Sequence, residues 1–366
     1  MEFIKQKGGE DKRVNIPSGC LTALVTPFNP DGTIDWKGLA KNIEFQISEG
    51  VVGMIPVGTT GESPTVNPEE HALILIKVSD FAEGRAYILA GSGSNSTQEA
   101  LHYTNIAVQA GCNGALLVDC YYNGPSSLEL RKEYYSPIAE KFPELTIVPY
   151  IVPGRTGCAL EPADLAILAW KYPNLNAVKE ARGDFEKMKE IRKLTPKDFK
   201  IISGDDDKTY TMMTDPEIMA NGVISVISNI TPAAIQQMCQ KILEGKIEEA
   251  KKMREILNPL FGLVTVSEIE RVEKIQGKEV VVKDKFRNPD ATKTMMQGLG
   301  MPAGIGRRPL GKMTPQAVEK VRKILKEVWK KSPQILKPIE KFYKVNISQR
   351  LANDEIWQGL SFQSGN

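Results

Sequence analysis

The sequence predicts one (β/α)8 TIM barrel with a C-terminal helical extension, and three observations lead there. Short apolar runs bounded by Gly and Pro recur from Cys20 onward, each followed by a longer stretch of helical period. Eight such units fit in roughly 225 residues, about 28 per unit, which is the spacing of a closed barrel of parallel strands. No G-x-G-x-x-G turn follows the first run, although an open dinucleotide-binding sheet would usually carry one.

The runs are Leu21 to Val25, Gly53 to Val57, Ala86 to Ala90, Gly114 to Val118, Thr146 to Ile151, Asn176 to Val178, Lys200 to Ser203 and Val223 to Val226. They do not alternate in polarity, as expected of strands covered on both faces. Helix starts lie between them. Asp35 precedes one, Asn67-Pro68-Glu69-Glu70 opens another, and Ser96-Thr97-Gln98-Glu99 has capping-box spacing. Glu161-Pro162 and Thr231-Pro232 place proline where a first helical turn tolerates it. The barrel is expected over 18–245 and a helical extension over 246–347, with helices at Ile247 to Leu260 and Pro315 to Trp329. A charged excursion near 264–288, whose Gln276-Gly277-Lys278 turn suits a hairpin, reads as a surface insertion with no catalytic role. A tail spans 348–366 and carries Trp357, Leu360 and Phe362.

Composition narrows the function. With 47 Lys and Arg against 45 Asp and Glu, the net charge of +2 argues against nucleic acid as a partner. The five cysteines form no Cys-x-x-Cys pair, and two histidines are too few for a Cys/His zinc site, so no metal is expected. Cysteines beside apolar runs read as reduced thiols of a cytoplasmic protein. The N-terminal stretch lacks the apolar core of a signal peptide, and no run is long enough to span a bilayer. A soluble protein without a membrane partner is expected.

In such barrels chemistry sits at the C-terminal ends of the strands. The second run ends in Gly58-Thr59-Thr60-Gly61-Glu62-Ser63, whose hydroxyls and unhindered N–H groups can face a carboxylate. The fourth ends in Asp119-Cys120-Tyr121-Tyr122-Asn123, and paired tyrosines suit either packing or proton transfer. The fifth places Tyr150 within the strand and Arg155 on the loop beyond, where a guanidinium can grip a carboxylate in two-pronged fashion. The sixth ends in Lys179. A lysine closing an apolar parallel strand is costly unless paired or chemically useful. At an ordinary pKa of about 10.4, roughly one such amine in a few thousand is neutral at pH 7. A desolvating barrel mouth raises that fraction, as attack on a carbonyl requires.

These motifs, with Lys179-Glu180-Ala181, Ser203-Gly204-Asp205-Asp206 and Gly222-Val223-Ile224-Ser225-Val226, resemble the dihydrodipicolinate synthase/N-acetylneuraminate lyase family over roughly 18 to 262. The doubled threonine is the form of its synthase branch. The resemblance implies a cofactor-free reaction condensing pyruvate with L-aspartate 4-semialdehyde on the diaminopimelate route to lysine. It implies that Lys179 forms an imine with pyruvate, that Thr59 and Thr60 hold its carboxylate, and that Tyr150 shuttles protons. Thr60 and Tyr122 would complete a hydroxyl relay, with Tyr122 delivered by a neighbouring subunit of a homo-oligomer, by resemblance a homotetramer. Arg155 would grip the aldehyde's carboxylate, and Gly204 and Ile224 would shape the pocket. Ser63, His71, Asn95, Glu99 and Tyr121 match an amino-acid effector site, while Pro64 and Pro68 depart from it, so weak or absent lysine feedback is expected. Ile151 and Gly154 stand where the synthases commonly have Asn and Ser, and Cys120 replaces a Pro. Two other readings stay open: an aldolase for a 2-keto-3-deoxy sugar acid or N-acetylneuraminate, and a catalytically silent barrel that senses a keto acid or amino acid.

Overall fold

The computed structural model describes residues 15–362. Eight parallel strands close into a barrel: β1 (Gly19–Ala23), β2 (Gly53–Ile55), β3 (Tyr87–Gly91), β4 (Gly114–Val118), β5 (Thr146–Ile151), β6 (Ala177–Glu180), β7 (Lys200–Ser203) and β8 (Gly222–Ser225). Each apolar run of the sequence became one strand. Closure is made by β1 against β8, with Leu21 opposite Ile224.

Period-two alternation divides each strand between two cores. Leu116, Val148, Tyr150, Ala177 and Ile202 fill the barrel interior. Leu117, Ile147, Ile151, Val178 and Ile201 face the helices outside. Lys179 follows Ala177 by one residue of opposite face, so it shares the inward side, while Glu180 points outward.

Helix starts form by the chemistry expected of them. The Asn67 side chain accepts from the Glu70 N–H at 2.8 Å while the Glu70 carboxylate accepts from the Asn67 N–H at 3.1 Å, and Pro68 takes the first turn. Asp35 caps Gly38 at 2.8 Å. Both reduce the number of orphaned N–H groups at a helix end.

After the helix Ile247–Phe261 the excursion is a two-stranded antiparallel hairpin, β9 (Val266–Ile275) and β10 (Lys278–Phe286). Gln276 and Gly277 turn it with φ of 50° and 80°, the double positive value of a tight hairpin turn. Its tip exposes Val272 and Val281 to solvent. Its base does not stay on the surface, as described below.

The helix Asp290–Leu299 was not legible in the sequence, and it carries the link between the extension and the barrel. Its Lys293 ammonium donates to the Glu62 carboxylate, both fully enclosed. Glu62 is held at φ 59° and also accepts from the Arg307 N–H at 2.9 Å. Removing one partner of such a buried pair typically costs about 3–5 kcal/mol, because the other charge is left unpaired. The extension thus fixes the turn that follows β2. The segment after Ala352 packs as the short helix Asp354–Gly359, whose Trp357 covers Gly298 so closely that a Cβ there would meet the indole at 2.2 Å. No helix among the described residues is long and apolar enough to cross a membrane.

Candidate active site

The C-terminal ends of the strands open into a cavity of about 480 Å³. Its floor is Ala23, Ile55 and Leu116, and its walls include Thr59, Thr60, Tyr150, Arg155, Lys179 and Gly204. Parallel pairing of β5 and β6 sets Tyr150 directly opposite Lys179. Both face inward, and the Lys179 Nζ lies 3.9 Å from the centre of the Tyr150 ring.

Lys179 is 6 % exposed. Burial pulls its pKa down to about 7, and the Arg155 guanidinium pulls the same way, while Asp205 and Asp206 oppose them. Near neutrality a large fraction of the amine is therefore free to attack a carbonyl. Gly204 makes room for it: a Cβ there would sit 2.7 Å from the Ala181 Cβ and 3.2 Å from the Lys179 Cε. Asp206 lies behind and accepts from the Val226 and Ile227 N–H groups at 2.9 and 3.2 Å, which holds the chain after β8 in place.

The two threonines separate in role. Thr59 is the hydroxyl that interacts with the Tyr150 phenol. The Thr60 hydroxyl is buried and accepts from the Asn288 Nδ2 at 2.8 Å. Both threonines line the cavity, with Thr59 set against Tyr150 and Thr60 engaged by Asn288. Tyr122 is not in this cavity. It is 90 % exposed at φ 79°, so one chain alone brings Lys179, Tyr150, Thr59 and Thr60 to the cavity without Tyr122. The Ile224 side chain packs in the barrel interior, and Val226 lines the cavity.

Arg155 stands on the loop after β5, and its Nη2 donates to the Asn288 carbonyl at 3.3 Å. Ile151, one of the two departures in that loop, points into the strand–helix core and leaves the cavity unaltered. Gly154 does line it. So do Val264, Thr265, Lys285, Arg287 and Asn288, all from the excursion that read as a surface insertion. The tip lies on the surface as expected, whereas the base lines the cavity. No signal near residue 288 betrayed this, since the contact to Thr60 spans 228 positions.

The residues matched to an effector site form a second group away from the cavity. The His71 ring stacks on Tyr103 at 4.0 Å, and its Nε2 bonds to the Gly91 carbonyl at 2.9 Å. Burial presses its pKa down to about 4, so it offers no cation to a ligand at neutral pH. Glu99 accepts from the Ser94 hydroxyl at 2.5 Å, and Glu99 and Tyr121 both act electrostatically on Tyr103. Ser63 begins the short turn Ser63–Thr65, and Asn95 is exposed. Tyr103 is the centre of this group and was not singled out by the sequence.

The sequence model of the Dihydrodipicolinate synthetase family matches residues 16–328. The chain is 39% identical over 295 residues to the 4-hydroxy-tetrahydrodipicolinate synthase of Methanococcus vannielii, covering 81% of this chain and 93% of that one. It is similar in structure to the 4-hydroxy-tetrahydrodipicolinate synthase of Methylacidiphilum fumariolicum SolV, with a TM-score of 0.77, 34% identity and coverage of 89% and 99% of the two chains. A third likeness is to the lysine-bound enzyme of Cyanidioschyzon merolae, with a TM-score of 0.76, 31% identity and coverage of 85% and 98%.

Proposed function

The chain belongs to the dihydrodipicolinate synthetase family, and we infer from that premise and from the cavity that it is a Schiff-base lyase condensing pyruvate with L-aspartate 4-semialdehyde. The product is 4-hydroxy-tetrahydrodipicolinate, on the diaminopimelate route to lysine. The observation that carries the mechanism is Lys179, desolvated at the end of β6 and in register with Tyr150.

The neutral Lys179 amine adds to the pyruvate carbonyl, and the carbinolamine loses water to give a protonated imine. That cation accepts the electron pair when a methyl proton leaves, so an enamine forms without a metal. The enamine carbon attacks the aldehyde. The amino group of the second substrate then displaces Lys179 and closes the ring, which frees the amine for another turn. These proton transfers are assigned to Tyr150, whose hydrogen bond with Thr59 supports the role. The backbone N–H groups of Thr59 and Thr60 are assigned to the pyruvate carboxylate, and Arg155 to the carboxylate of the aldehyde.

Turnover of pyruvate with L-aspartate 4-semialdehyde, set against erythrose, glyceraldehyde and N-acetylmannosamine, tests the reaction. Condensation with the semialdehyde should exceed that with any sugar by more than about a hundred-fold, since a site with a carboxylate grip left unfilled is strongly penalised. Preference for a sugar aldehyde would replace this reading with the aldolase one, and imine formation with no turnover of any aldehyde would favour the silent sensor barrel.

The exposed Tyr122 completes the relay only from another copy of the chain, so the active unit is at least a dimer and, by kinship, a homotetramer. Co-expression of Lys179→Ala with Tyr122→Phe chains gives a direct check. Each variant alone should be nearly inactive. In a mixed pair, the Tyr122→Phe chain keeps Lys179 and receives an intact Tyr122, so one of the two sites is complete and a purified mixed pair should show about half of wild-type activity, or about a quarter for the unfractionated mixture. Absence of recovery in purified mixed oligomers would place the Tyr122 function within its own chain.

A further inference from the structure

Arg287 follows β10 directly, where the inserted hairpin rejoins the body of the protein. Its Nη1 donates to the Gly154 carbonyl at 3.1 Å, while Arg155 on the opposite segment donates to the Asn288 carbonyl at 3.3 Å. These two bonds clasp each arginine to the neighbour of the other. The result is a pair of guanidinium groups on one rim of the cavity.

Asp290 acts on Arg155 electrostatically, but from beyond ion-pairing distance. The other rim cations are paired, Arg182 with Glu180 and Lys208 with Asp205. Arg155, Arg287 and the adjacent Lys285 have no carboxylate within ion-pairing distance among the described residues. Like charges held side by side are unfavourable unless an anion lies between them. At Arg155 burial lowers the pKa first and Arg287 adds to that effect, while Tyr150 and Asp290 oppose it. Space for an anion exists too, because nothing stands within 4 Å of the position a Gly154 Cβ would occupy. Each guanidinium spends one donor on a carbonyl and keeps the rest of its five for a ligand.

We propose that Arg287 is a second carboxylate-binding residue of the aldehyde subsite, so that the substrate carboxylate is held between Arg155 and Arg287 and the inserted hairpin determines specificity. This rests on the reaction read above. Lys285 deepens the same positive rim and draws the anion toward it.

The test is the aldehyde KM against the pyruvate KM in Arg287→Ala and Arg287→Lys enzymes. Loss of a charge-assisted contact predicts a rise in the semialdehyde KM of roughly 10- to 100-fold in Arg287→Ala. The pyruvate KM and the yield of borohydride-trapped imine should stay within about two-fold of wild type, and Arg287→Lys should regain part of the loss. L-Homoserine, which keeps the carboxylate and amine but has no aldehyde, provides a second readout as a ligand of pyruvate-loaded enzyme. Its dissociation constant should rise in parallel. An unchanged semialdehyde KM, or equal rises in both KM values, would overturn the proposal. If wild type failed to condense the semialdehyde, the reaction would be misread, and L-homoserine binding would still decide whether Arg287 holds a carboxylate.

Discussion

Lys179→Ala should abolish the borohydride-trapped pyruvyl adduct and lower condensation by at least about a thousand-fold, as loss of a covalent nucleophile does. Peptide mapping of wild type should place the reduced adduct on Lys179 alone. The pH dependence is the sharper prediction. With the amine near pKa 7, its neutral fraction climbs from about one-tenth at pH 6 to about nine-tenths at pH 8. Because the unprotonated form is the nucleophile, the trapping rate at low pyruvate should rise about ten-fold across that interval and then level. An ordinary lysine would keep gaining about ten-fold per unit up to about pH 9 and go on rising beyond it. A rate that continues upward through pH 9, or an adduct on another lysine, would contradict the assignment. The cause of the shift is burial in the barrel mouth, so a variant that wets the site, such as Leu116→Ser on the cavity floor, should move the midpoint upward.

Why these features could be read in advance, and others not, follows from the range of the interactions. The strands are local: a both-sides-buried parallel strand is an apolar run, so the run ending at Val178 announced β6 and placed Lys179 at its mouth. The opposition of Tyr150 and Lys179 then came from sequential pairing of neighbouring strands. Period-two alternation assigns faces only within a strand. Thr59 and Thr60 lie in the turn beyond β2, where that rule lapses, so which of them meets Tyr150 was not legible. The helix Asp290–Leu299 escaped notice because Thr292, Lys293 and Thr294 look like a solvated face. They are buried, because Glu62 supplies the counter-charge from 231 positions away. The hairpin shows the same limit. Its turn is written in Gln276-Gly277, but the destination of Arg287 and Asn288 depends on Gly154 and Thr60, with which they share no local pattern.

Arg155→Ala should separate the two halves of the reaction. Arg155 lines the cavity, and its hydrogen-bond partner in the resting protein is a backbone carbonyl, so its charge is held for something that arrives. Truncating one partner of a desolvated charge pair costs about 2–5 kcal/mol, so kcat/KM for the semialdehyde should fall by roughly 30- to several thousand-fold. Pyruvate trapping should survive, because the keto acid is assigned to the turn at Thr59 and Thr60 and not to Arg155. The pH profile adds an internal control. Arg155 is one of the groups lowering the Lys179 pKa, so its removal should shift the trapping midpoint to higher pH without lowering the plateau. A merely structural Arg155 would behave otherwise. Loss of its bond to the Asn288 carbonyl would free Asn288, loosen the Thr60 hydroxyl it holds, and damage the pyruvate side as well. Equal losses of trapping and condensation would therefore assign Arg155 to the framework. Intact trapping with collapsed condensation would assign it to the second substrate, with Arg155→Lys recovering only a part because an ammonium cannot reproduce the two-pronged grip.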